Sequence, residues 1–224
     1  MWWFPLALFF MSQFVSGRVS PRSPGRKTII GRQSETNNRQ GGNITRQGLI
    51  QERIDEAKET EEIILDGLQM KSLSGEIFRK SLVKLYLHDN ELVVLPSEIG
   101  LLENLKDFSV ENNRLSSLPK EIGKLASLER FHCHGNQIVS LPCEIGQLDN
   151  LTRLFLSDNK ITSLPPEIGS LANLQWLSLD NNQLTSLPSA FGCLTKLGWC
   201  SLESNKYDST LVNICNFKQN IISS

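Results

Sequence analysis

One apolar frame returns every 23 residues through most of this chain, opening at Leu82, Leu105, Leu128, Leu151 and Leu174, with a partial copy from Leu197 that stops after Asn205. The frame is L-x-x-L-x-L-x-x-N-x-L-x-x-L-P-x-x-I-G-x-L, and its clearest copy reads Leu151, Leu154, Leu156, Asn159, Ile161, Leu164, Pro165, Ile168, Gly169 and Leu171. Upstream, Ile63, Leu65, Met70, Leu73 and Ile77 keep the spacing in a weaker copy from about Thr60 that lacks both the Asn and the Pro. A period this regular means that one supersecondary unit is stacked on copies of itself, because no single coil can bury its apolar side alone.

The residue types of the frame predict the shape of each coil. In L-x-x-L-x-L the last two leucines stand two apart, so an extended strand points both inward and sends the residues around them outward. The recurring Asn (Asn90, Asn113, Asn136, Asn159, Asn182, Asn205) is placed to satisfy buried backbone groups of the neighbouring coil, which a stacked row can do and one isolated Asn cannot. Pro pre-sets φ and Gly permits φ above zero, so L-P-x-x-I-G-x-L is expected to return the chain in a tight or short helical turn. The fold class expected is an α/β repeat solenoid, with parallel strands on a concave face, short helices or turns on a convex face and one continuous core, about 4.8 Å per coil.

The stretches Leu95–Leu102, Leu118–Leu125, Leu141–Leu148 and Leu164–Leu171, read as L-P-x-E-I-G-x-L, resemble the 23-residue subclass of leucine-rich repeat proteins. That subclass includes Ras suppressor protein, the scaffold that joins Ras to a phosphatase, and the plant intracellular Ras-group-related proteins. The resemblance covers about two thirds of the chain. It implies a non-catalytic scaffold or adaptor in intracellular signalling, in the cytoplasm, with a small GTPase or another signalling protein as partner.

Around the array the expected organisation is a hydrophobic leader at 1–17, a basic linker at 18–45, an N-terminal capping helix at 46–59, the repeats at 60–206 and an irregular tail at 207–224. The capping helix rests on Leu49, Ile50, Ile54 and Ala57 near helical spacing. The linker carries seven basic residues from Arg18 to Arg46 against Glu35 alone, among Pro, Gly, Ser, Asn and Gln, which suits a solvated segment. The tail supplies no Pro or I-G after the frame breaks, so it is either an improvised cap or the start of a longer array.

The apolar run Trp2–Val15, followed by Ser16 and Gly17, gives a second reading: a signal peptide, and with it a secreted or cell-surface recognition module. Against it, no Lys or Arg precedes the run, which is also too short for a stable membrane span. The five cysteines favour a reducing compartment: Cys133 and Cys200 replace core residues, and Cys143 and Cys193 lie on the return side two coils apart, too far to bridge. The sequons at Asn43 and Asn150 carry little weight, since Leu151 is a core position. A net charge of -1 gives no global bias toward nucleic acid, and none is expected as a partner.

Function is therefore sought in the outward columns of the strands. One column holds Lys84, Asp107, Arg130, Arg153, Trp176 and Trp199; its neighbour holds Tyr86, Ser109, His132, Phe155, Ser178 and Ser201; the column after the strand holds His88, Glu111, His134, Ser157, Asp180 and Glu203. From these, Tyr86, His88, Glu111, Arg130, His132, His134, Arg153, Phe155, Trp176, Asp180 and Trp199 are the candidate partner-binding residues, since aromatics beside Arg are the common anchors of a protein interface. His132-Cys133-His134 is not expected to hold a metal: alternation sends both histidines out and Cys133 in, so the three cannot converge on one ion, and no carboxylate is fixed nearby at ligand spacing. No phosphate loop, nucleophile with its base, or paired acid and base is apparent, so neither catalysis nor a cofactor is expected. Glu98, Glu121, Glu144 and Glu167 form a convex row read as solvated first-turn acids.

Overall fold

A computed structural model describes residues 45–57 and 60–206. The expectations for the leader, the basic linker up to residue 44 and the tail concern residues outside these. Seven strands, each of three residues, form one parallel sheet in sequence order: β1 (Glu62–Ile64), β2 (Lys84–Tyr86), β3 (Asp107–Ser109), β4 (Arg130–His132), β5 (Arg153–Phe155), β6 (Trp176–Ser178) and β7 (Trp199–Ser201). The returns after β2 to β6 each contain a five-residue 3-10 helix such as Ser97–Leu101, Lys120–Lys124 or Cys143–Gln147. The result is the expected curved α/β solenoid, with strands on the concave face and short helices on the convex one.

The middle residue of every strand is buried, and these residues pair along one row: Ile63, Leu85, Phe108, Phe131, Leu154, Leu177 and Cys200. Phe108 and Phe131 stack with centroids 5.3 Å apart, so the two adjacent coils that carry Phe in this row fill their volume with a ring pair. Leu82, Leu87, Leu92, Ile99 and Leu102 of the first full coil have no exposed surface, and the same positions are buried in the four full coils that follow. Cys133 and Cys200 are buried inside this core, while Cys143 and Cys193 are exposed on the return side.

The Asn row does what its placement suggests. Asn113 Oδ1 accepts from Leu92 N, and its amide nitrogen donates to Leu87 O of the previous coil and to Val110 O and Glu111 O of its own. Asn136, Asn159 and Asn182 repeat the pattern residue for residue. The row begins at Asn90, which serves Leu68 N and Met70 N of the degenerate first coil, where Leu68 stands in place of the Asn. Beyond that coil, helix α1 (Arg46–Glu56) covers the open end with Ile50, Ile54 and Ala57, and Arg53 donates to Ile64 O on the edge strand. Thr45 caps α1 by accepting from Gly48 N.

Two features of the frame differ from the sequence expectation. The glycine of I-G does not provide a positive φ. Its Cα lies against the next coil, and a Cβ built on Gly123 or Gly146 would stand 2.5 Å from the backbone oxygen of Glu144 or Glu167. Close approach of neighbouring 3-10 helices is therefore the reason for glycine there. The positive φ occurs instead at the residue before each ladder Asn: Asp89, Asn112, Gly135, Asp158, Asn181 and Ser204, with Gly67 in the first coil. These are Gly, Asn, Asp and Ser, with Gly, Asn and Asp tolerating the left-handed region best. At Gly135 a side chain would also collide with the Asn112 amide.

Gly146→Ala is expected to destabilise the array by about 1–3 kcal/mol, because a methyl group is forced against backbone. Gly192→Ala meets nothing within 4 Å and is expected to be neutral or slightly stabilising. Thermal melts of the two variants beside the parent chain check this; equal losses would contradict the close-approach account.

Candidate functional site

The outward residues of the seven strands pair in register across the sheet, so sequence neighbours 23 apart become contacts about 4.8 Å apart. The three expected columns are present. Their first half is held by charge and their second half by rings. Lys84 Nζ stands 3.5 Å from Glu62 Oε2, and Arg130 directs Nε and Nη2 to Asp107 Oδ2, each at 3.0 Å. Tyr86 donates its hydroxyl to the same Asp107 oxygen at 3.1 Å, while Asp107 Oδ1 is buried without a hydrogen-bond partner. Burial first, then the Asp107 carboxylate, push the Tyr86 phenol well above its usual range.

From β5 onward the column turns aromatic. The Arg153 guanidinium lies 5.9 Å from the centre of the Trp176 ring, and Trp176 packs on Trp199 at 5.8 Å with a 32° tilt. Trp176 keeps 40% of its surface exposed, and Arg153 is exposed beside it. In the next column His132 stacks on Phe155 at 4.7 Å. The sequence placed all these rings on a face that does not demand burial; of them Trp176 alone is exposed, and Tyr86, Phe155 and Trp199 are half-buried. Asp107, Ser109 and Ser178, outward by alternation, are buried under these larger neighbours.

The third column holds most of the polar groups that already have partners. His88 Nε2 lies 2.8 Å from Asp66 and its Nδ1 lies 3.0 Å from Asp89. The Asp66 hydrogen bond raises its pKa to about 9 against the opposing cost of burial. Asp180 accepts from Glu203 N at 2.8 Å, from Ser178 Oγ at 3.2 Å and from Ser201 Oγ. Asp66 and Asp89 were not singled out in the sequence, and the signal lay in their offsets of 22 and 1 residues from His88.

The neighbourhood of His132-Cys133-His134 corrects a sequence expectation. Cys133 is buried inward, and burial pushes its thiol far up, as alternation requires. A carboxylate is nevertheless at hand, because Glu111 of the preceding coil brings its oxygen to within 4.8 Å of ligand nitrogens on both His132 and His134. It was missed because it is local only across the sheet. Glu111 Oε2 accepts from Ser109 Oγ at 2.9 Å and lies 3.9 Å from His132 Nδ1. Burial lowers the His132 pKa, against the pull of Glu111 and Asp107.

A parallel sheet whose outward side chains form fixed columns defines a repeat protein with an open concave face. A leucine-rich repeat profile matches residues 80–138 and 149–206, together more than half of the chain, and the chain belongs to the leucine-rich repeat family. No curated protein matches it as a relative. Among solved structures it is similar to a leucine-rich repeat protein of Leptospira interrogans, at 33% identity and a TM-score of 0.63 over 71% of this chain. The chain spans about half of that protein, 47% of its length. A likeness shared with 419 solved chains identifies the fold and leaves the partner open. Arrays of this family generally act as protein-binding modules. Among the described residues, no helix is long and apolar enough to cross a membrane.

The two classes of histidine give a direct check in the metal-free protein. His88 is expected to titrate at about pH 9 and His132 below its ordinary value of 6.5, read from their ring resonances. Because the folded pKa of His88 is raised, its contribution to stability is full below about pH 6.5 and is lost as pH rises through about 9. His88→Gln should therefore lower the melting temperature at pH 6, with the difference from the parent shrinking above pH 9.

Proposed function

We propose that the chain is a non-catalytic scaffold or adaptor in intracellular signalling that holds a folded protein partner on its concave sheet. The observation that carries this reading is the run Arg153, Trp176 and Trp199 on three adjacent strands, with Trp176 exposed on a rigid backbone. Large rings already fixed by their neighbours lose little side-chain freedom when a partner covers them, so their apolar area is available for affinity. Arg153 adds a charge suited to an acidic side chain on the partner's rim. The L-P-x-E-I-G-x-L stretches support a partner among small GTPases or other signalling proteins, and a cytoplasmic setting. The free, buried thiol of Cys133 is compatible with that setting.

The runner-up is a secreted or surface module using the same face, favoured by the apolar run Trp2–Val15. The full-length chain with a C-terminal tag separates the two. Retention in the cytosol supports the adaptor, and appearance in the medium with a glycan on Asn43 supports the alternative.

Trp176→Ala is expected to weaken partner binding by about 2 kcal/mol or more while leaving circular dichroism and the melt nearly unchanged. Glu167→Ala, exposed on the convex row, is expected to change neither. Both are measured against partners captured by the parent chain; loss with Glu167→Ala and not with Trp176→Ala would move the interface to the convex face.

A further inference from the structure

We propose that Glu111, His132 and His134 form a binding site for a divalent first-row transition-metal ion, of which zinc is the representative. The inference stands on the site's own geometry and does not depend on the identity of any partner. His132 ends β4, His134 follows two residues later on the same outward side, and Glu111 occupies the position of His134 one coil earlier. Asn112 N donates to His134 O at 3.0 Å, which fixes the two coils side by side at this point. One ligand atom from each of the three residues lies within 4.8 Å of the others, and all three side chains are half-buried.

Donors around a tetrahedral ion with bonds of ~2.0–2.1 Å stand about 3.3 Å apart, so the trio, within 4.8 Å of one another, must close by up to about 1.5 Å. Small rotations of Glu111 and His134 supply that closure, with no change in the backbone ladder. The surroundings hold the ligands in the manner of a built site. Phe155 packs on the His132 ring, and Ser109 donates to Glu111 Oε2, leaving the second carboxylate oxygen open. Arg130, the nearby cation, is paired with Asp107 by a hydrogen bond from Nε and an ion-pair contact from Nη2 to the same oxygen, so its charge is locally compensated.

The donor set selects the ion. Two imidazoles and one carboxylate suit zinc, cobalt, nickel or iron(II), whereas calcium and magnesium prefer oxygen-rich shells. Three protein ligands leave a coordination position facing the open concave side, where water or a side chain of a docked molecule completes the shell. His88 serves as an internal control. The chain has three histidines, and the third is engaged by Asp66 and Asp89.

The experiment titrates the tag-free full-length chain with cobalt(II), followed by its visible ligand-field absorption, and then displaces cobalt with zinc. The expected result is one ion per chain, with no thiolate charge-transfer band, and at least about tenfold weaker binding in both His134→Ala and Glu111→Gln, since losing a ligand costs no less than losing its support. His88→Ala should bind like the parent. Ring resonances of the unsubstituted chain provide a readout that survives any misfolded variant: zinc should shift those of His132 and His134 and leave those of His88 in place. The proposal is overturned if neither ion binds at submillimolar concentration, if the cobalt spectrum reports thiolate ligation, or if the zinc-induced shifts fall on His88.

Discussion

The ladder of asparagines sets the geometry on which everything else in this protein rests. Each coil turns its backbone inward after the strand, where carbonyls and amides would be buried without a partner at about 1–3 kcal/mol apiece. One Asn side chain per coil resolves this by accepting from a backbone amide of the coil before it and donating both to that coil and to its own. The bonds demand a fixed offset between coils, so the ladder is also what keeps the strands in register. The left-handed residue before each Asn turns the chain so that the side chain enters the core, which accounts for the Asp, Asn and Gly at those positions.

Once the offset is fixed, a sequence separation of about 23 residues becomes a distance of about 4.8 Å across the sheet. Side chains far apart in the chain are then forced into contact whether or not their chemistry suits it. Where it suits, the face gains pairs: Arg130 with Asp107, Arg153 with Trp176, and Glu111 with the two histidines. Where large side chains follow small ones, the small ones are covered, as Ser109 and Ser178 are. The concave face is therefore graded along the array, from charge pairs on β1 to β4 to rings on β5 to β7.

Much of this was legible in the residues alone, and for a simple reason. The period and the alternation of Leu154 and Leu156 specify the strand, its inward side and the columns, since both are one-dimensional properties of the chain. The capping helix was equally legible from Ile50 and Ile54. What escaped was whatever depends on distance between coils. The glycines of I-G read as positions for a positive φ, yet Gly123 and Gly146 are there because the next coil's backbone passes too close for a Cβ. Glu111 escaped as a neighbour of His134 because a search for ligands along the sequence does not look 23 residues back. The internal engagement of Tyr86 and Asp180 was hidden for the same reason.

Those engagements decide which outward residues are available. A polar group that already has its partners gains little from a new one, since docking must first desolvate or displace what it has. The hydroxyl of Tyr86, the ring of His88 and the carboxylate of Asp180 are in that position, so they stiffen the face more than they offer it. Arg153 and Trp176 retain open surface, and the Glu111–His132–His134 group retains unused ligand atoms. These two regions meet on β5, where Arg153 belongs to the ring column and Phe155, two residues on, supports His132. Phe155 pairs with His132 across β4 and β5 and stacks on its ring, so the histidine cluster and the ring column are held on the same stretch of rigid sheet.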